Sequence, residues 1–153
     1  MPKRYALGGP YLSVHLRRRD FVRGRPDDTP DLKSVAQQIS KQLENLRLTK
    51  LFIATDAPDS EFIELKSRIS EKYEVYKYSA PHDVQEKFHE AGIAIIEQII
   101  CSYARYFIGT AESTFTFRIQ EEREILGFPI DTTFNVLCKE NNCKKPSVWQ
   151  IVY

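Results

Sequence analysis

The segment Tyr11–Asp20, YLSVHLRRRD, alternates apolar and polar side chains and then runs straight into three arginines. Successive side chains of a strand point to opposite faces, so Leu12, Val14 and Leu16 share one face while Ser13, His15 and Arg17 share the other. If this strand lies in an open parallel sheet, its carboxyl end is where such sheets bind ligands. Arg17, Arg18 and Arg19 then stand at the mouth of a site. The planar guanidinium fork suits an anion, above all a phosphate or diphosphate. The same three residues also read as a solvated loop that keeps a sheet edge soluble, because charge runs are commonly only surface.

The remainder of the chain supplies partners for such a strand. DFVRGRPDDTPD, residues 20–31, is rich in Gly, Pro and Asp and reads as an exposed loop. Thr29 and Pro30 suit an N-cap and first helical position, and Leu32, Val35, Ile39, Leu43 and Leu46 recur at helical spacing over about four turns. Lys50–Thr55, KLFIAT, reads as a buried parallel strand with DAPDS as its carboxyl-end loop. Asp59 or Ser60 caps a second helix that turns Phe62, Leu65 and Ile69 inward. A third strand follows near residues 75–78, then a loop carrying His82 and His89. AGIAIIEQIICSYA, residues 91–104, is a helix apolar nearly all round, expected to bury itself against the sheet and a further surface. Tyr106–Ile108 make a fourth strand, GTAESTF leads into a helix over 116–126, and Gly127-Phe-Pro ends it. The tail closes on a strand-like VWQIVY. This alternation predicts an α/β fold, a Rossmann-like open parallel sheet with helices on both faces. At 153 residues it is one domain, with 1–10 as a leader or interdomain segment and 130–153 as a C-terminal tail.

Two further places carry chemistry. Glu97 is the only charge in the apolar helix, and its helical neighbours Ile93, Ala94, Ile100 and Cys101 offer it no polar face. A carboxylate there must find a partner or lose its charge. It either reaches a groove edge, pairs with a structural arginine, or faces a ligand. In GTAESTF, Gly109 permits an unusual backbone conformation, and Ser113 can cap the next helix. Its amides and the Thr114 hydroxyl are then left facing an anion. A capped helix needs no ligand, so this turn gains weight only beside the arginines. No catalytic set is complete: GTAES does not match G-x-S-x-G, and GTAEST lacks the Walker lysine. His82 and His89, without metal-ligand company, read as surface residues.

The net charge of +1 excludes a global attraction to nucleic acid. Arg17, Arg18, Arg19, Arg23 and Arg25 nevertheless crowd into nine positions, giving the local positive field a small anion needs. No apolar run approaches the ~18 residues of a membrane span, so a soluble chain is expected. No signal peptide is present, which says little, because MPKRYALGGP reads as the edge of a longer protein. Cys101 sits in an apolar run as a small buried hydrophobe. Cys138 and Cys143 flank KENN, a spacing that can close a small loop. A zinc site has no histidine to support it, so a disulfide and an oxidising compartment are favoured.

HLRRRDF, ATDA, GIAIIEQIIC, FIGTAESTFTFRIQEEREILG and the two-cysteine tail resemble, in order and over nearly the whole chain, the C-terminal half of the GDP-fucose protein O-fucosyltransferase family. The resemblance implies a GT-B fold of two Rossmann-like halves, the second holding the nucleotide. It further implies inverting transfer of fucose from GDP-fucose to Ser or Thr of folded thrombospondin type 1 repeats in the endoplasmic reticulum lumen, with no cofactor and no essential metal. Carried over, His15 and Arg17 occupy the family's HxR position with Leu16 between them, and Arg17 is the cation on the diphosphate as fucose leaves. Glu97 stands where the family has an aspartate at the nucleoside, its extra methylene shifting the contact or admitting a water. Ser113, Thr114 and Phe115 match the S-T-F turn around phosphates and base. The family's catalytic base is a glutamate of the N-terminal half, so this chain alone is expected to be inactive. The residues by themselves leave open a different class, a Rossmann-like module that binds a nucleotide or a protein without chemistry.

Overall fold

In the computed structural model, which describes residues 4–140 and 143, the apolar alternation becomes strand β1, Gly9–Leu16. β2 (Lys50–Thr55), β3 (Glu74–Tyr76) and β4 (Ala104–Ile108) join it in one sheet of order β3-β2-β1-β4. All three pairings are parallel, with Val14 opposite Ile53 on one side and Ile108 on the other. VWQIVY lies outside the described residues.

Helices cover both faces. Leu12, Val14, Leu16, Leu51 and Ile53 pack on Leu32, Val35, Ile39 and Leu43 of α2 (Leu32–Leu46) and on Leu65 of α3 (Asp59–Arg68). Phe52, Ala54 and Phe107 pack on Cys101 of α4 (His82–Ser102) and Ile119 of α5 (Thr114–Leu126). Burying one such aliphatic side chain is worth about 1.5–3 kcal/mol, more than the ~1 kcal/mol of a typical cap. The inward stripe of α2 therefore outweighs its exact starting residue. Because both faces are covered, Ser13 and His15 are as buried as their apolar neighbours.

Several expectations shift here. The loop expected over 20–31 contains helix α1 (Arg19–Gly24) and a 3-10 turn at Pro26–Asp28. The Thr29 hydroxyl lies within hydrogen-bond reach of both Phe21 O and Arg25 O, so its one proton is spent on that segment and Thr29 is removed as a cap. Asp31 caps α2 instead, its carboxylate accepting from Ser34 N at 2.7 Å. Pro58 precedes α3, leaving Asp59 and Ser60 inside its first turn rather than at its cap. His82 opens α4 rather than lying in a loop, and the helix is broken at His89, whose φ of 53° is left-handed. Ile95 and Ile99 of α4 are 56% and 49% exposed, so no second surface covers them among the described residues.

The connections place the ligand-binding end. The chain leaves β1 towards β2 and β3 on one side, then crosses the opposite face through α4 to reach β4 on the other side of β1. β1 and β4 thus flank the point where strand order reverses, the crevice that open α/β sheets use for ligands. After α5, whose C-cap Gly127 has φ 84°, a bridge joins Gly109 to Val136. Gln38 of α2 then holds Cys138 by two 2.7 Å bonds to its main chain. Cys138 and Cys143 form a disulfide with Cα atoms 4.5 Å apart, while Cys101 is free and buried.

Candidate functional site

At the carboxyl end of β1 the three arginines part company. Arg17 keeps 36% of its side chain exposed, with Nη2 on Asp20 Oδ1 at 2.8 Å, Nε 3.3 Å from Asp56 Oδ2, and its guanidinium 5.3 Å over the Phe21 ring. Arg18 turns the other way and is buried, donating Nε to Glu61 and Nη1 to the Pro30 carbonyl. It anchors the loop instead of lining a mouth, which corrects the grouping of all three arginines at one site. Arg19 donates to the Asp56 carbonyl at the surface. Asp56 was missed by sequence reasoning, although it directly follows β2 beside the arginines that directly follow β1. Its Oδ1 accepts Arg18 N at 2.7 Å while Oδ2 faces Arg17.

His15 lies one pleat below Arg17, 3% exposed, its ring stacked on Phe115 with centroids 4.3 Å apart. Phe115 belongs to the first turn of α5, so β1 and the β4–α5 turn meet here. Thr110 stitches them further: its hydroxyl donates to His15 O and accepts Arg17 N, at 2.9 and 3.0 Å. Leu16 faces the α2 core with its side chain 2% exposed, and its carbonyl accepts from the Thr55 hydroxyl. Any contact it makes with a ligand is through main chain.

The β4–α5 turn differs in detail from expectation. Gly109 does not need its conformational freedom; a Cβ there would meet Thr116 Cγ2 at 2.2 Å, so glycine is required by close approach. The left-handed residue of the turn is Glu112, φ 61°. Ser113 occupies the N-cap position with a buried side chain, but its hydroxyl makes no capping bond. Thr114 is exposed at the start of α5. The helix start consequently offers unspent amides and the positive end of its dipole beside Arg17 and His15.

Glu97 is half-buried on α4, one turn above Cys101, whose carbonyl accepts from Ser13 of β1. Burial raises its carboxyl pKa, partly offset by Lys77 at the end of β3. It makes no hydrogen bond among the described residues. It thus stands over the same sheet face as His15 without touching the arginine cluster.

Burial, with a smaller push from Arg17, lowers the His15 pKa to about 3 from 6.5. Between those values the unfolded chain takes up a proton that the folded chain refuses, so stability falls as pH drops below 6.5 and is unaffected above it. Near pH 4.5 the expected loss is about 2–3 kcal/mol, at roughly 1.36 kcal/mol per pH unit. Urea midpoints at neutral and acidic pH should show this loss and show it reduced in His15→Gln; an equal drop in the variant would assign the acid sensitivity elsewhere.

The family model described as GDP-fucose protein O-fucosyltransferase matches residues 1–126. The chain belongs to that family. It is 50% identical over 154 aligned positions to GDP-fucose protein O-fucosyltransferase 2 of Caenorhabditis elegans, covering 99% of this chain and 35% of that protein. The human protein of the same name is 46% identical, with 97% and 34% covered. This chain therefore spans about a third of the length of these curated relatives. Among solved structures, POFUT1 in complex with GDP-fucose matches with a TM-score of 0.58 at 18% identity, over 87% of this chain and 42% of that one. That likeness carries the fold: the four-stranded parallel sheet with helices on both faces is the Rossmann-like arrangement of this family's GT-B enzymes. His15, Arg17 and the Ser113–Phe115 turn meet at the β1–β4 switch point through the His15–Phe115 stack and the Thr110 bonds.

Proposed function

We propose that this chain is the donor-binding part of a protein O-fucosyltransferase and holds the diphosphate of GDP-fucose across the β1–β4 switch point. The observation that carries the reading is the meeting of the Arg17 main chain, the His15 ring and the amino end of α5 at that crevice, with the Arg17 charge near enough to be felt by the ring. Arg17 and the α5 amides, with the Ser113 and Thr114 hydroxyls, face the phosphate oxygens; Phe115 and Glu97 face the nucleoside. As the bond from fucose to diphosphate breaks, negative charge grows on the leaving oxygens, and a preorganised fork plus helix-terminal amides stabilises it. This requires no resident metal. The acceptor is Ser or Thr of a folded thrombospondin type 1 repeat, and the catalytic base comes from a part of the protein outside this chain. The Cys138–Cys143 disulfide supports a place in an oxidising lumen, that of the endoplasmic reticulum.

Thermal melts with GDP and with ADP test the reading. Ligand that binds only the folded state stabilises by mass action, about 2.7 kcal/mol at a hundredfold excess over its dissociation constant. GDP should raise the melting temperature and ADP should not. Equal shifts, or none, would remove guanine recognition from the account.

A further inference from the structure

Thr116 lies in the first turn of α5, fully buried, with its hydroxyl at the junction of the two strand ends. That oxygen accepts the Thr110 N–H at 3.0 Å and lies 2.8 Å from His15 Nδ1. A hydroxyl has a single proton to donate. No other acceptor for it exists among the described residues, so the proton points at Nδ1. We propose that Thr116 sets the tautomer of His15: its hydroxyl donates to Nδ1, the ring carries its hydrogen on Nε2, and that free N–H is what His15 presents to a bound diphosphate nucleotide. The ligand half of this inference rests on the function proposed above; the tautomer half does not.

The opposite tautomer would put N–H against the hydroxyl and leave the Thr116 proton without an acceptor in a fully buried place. An unsatisfied buried donor disfavours that state by roughly ten- to a hundredfold. The rotamer is held too. Thr116 is branched at Cβ and stiff about χ1, and its methyl fills the space that the missing side chain of Gly109 leaves. His15 Nε2 makes no hydrogen bond among the described residues. Burial and Arg17 keep the ring neutral, so it does not escape the choice by protonating at both nitrogens. Thr116 is thus a positioning residue, acting on a ligand through His15.

The chain has three histidines, and His82 and His89 serve as internal references for a nitrogen-15 spectrum of the ring nitrogens at neutral pH. The expected pattern for His15 is an unprotonated Nδ1 and a protonated Nε2, kept in Thr116→Ser and averaged or reversed in Thr116→Val. GDP affinity should fall about tenfold in Thr116→Val and less than threefold in Thr116→Ser. A protonated Nδ1 in the unaltered chain overturns the proposal even if Thr116→Val does not fold, and so does a Thr116→Val spectrum unchanged at His15. If the ring pattern is as expected but no form of the chain binds GDP, the tautomer assignment stands and the nucleotide reading falls.

Discussion

In the full-length protein, Arg17→Lys is expected to keep most of its GDP affinity and to lose roughly a hundred- to a thousandfold in fucose transfer, about 3–4 kcal/mol of transition-state stabilisation. Lysine keeps the charge but not the planar donor set. Asp20 bonds the Nη2 side of the guanidinium, Asp56 lies 3.3 Å from Nε, and Phe21 lies beneath the group. An ammonium has one nitrogen to share among those partners and the diphosphate, so it attracts the nucleotide without matching the leaving oxygens. Arg18→Lys is the paired control. Arg18 donates from two separate nitrogens to Glu61 and the Pro30 carbonyl, so its replacement lowers stability while turnover per folded molecule stays close to that of the unaltered protein. The measurement is fucose transfer to a folded thrombospondin type 1 repeat, with GDP affinity and a melt for each variant. A silent Arg17→Lys beside a crippled Arg18→Lys would mean that the wrong arginine has been placed at the diphosphate.

Arg123→Leu is expected to destabilise the fold by about 3 kcal/mol, with the site residues untouched. Arg123 is fully buried and bridges three segments: Nη1 donates to Ser102 O and Ala104 O at 3.0 and 2.7 Å, Nη2 to Thr132 O at 3.1 Å, and Nε to the Thr133 hydroxyl at 3.2 Å. Its guanidinium also lies 4.0 Å over the Phe128 ring. Leucine fills the space but strands three carbonyl oxygens, each costing roughly 1–3 kcal/mol. Part of that is offset because burial already disfavours the cation, whose pKa is pushed down to about 10, and leucine removes that strain. Urea unfolding should show a lower midpoint at unchanged slope. A loss below about 1 kcal/mol would show that water replaces the guanidinium on those carbonyls.

Arg123 also marks the limit of what a sequence discloses. In EEREILG it is one charge among several on a helix, and only its contacts with residues around 102–104 and 132–133 make it a core residue. Glu97 shows the reverse case. Its isolation in an apolar helix was enough to say that the carboxylate must find a partner or lose its charge, and burial does raise its pKa.

By itself the sequence determined the periodic parts. Leu12, Val14 and Leu16 against Ser13 and His15, the span of β2, the inward stripe of α2 and the Gly127 exit all follow from repeats of two or 3.6 residues and from local turn chemistry. It also placed His15, Arg17 and the Ser113–Phe115 turn at carboxyl ends of strands. The tertiary structure alone decided why Gly109 must be glycine, and that Thr116 and His15, 101 positions apart, share a hydrogen bond. The physical reason is range. Propensity and patterning act within about four residues, whereas the donors, clashes and stacking partners that define this site come from the meeting of two parallel strands that β2, β3 and α4 separate in sequence.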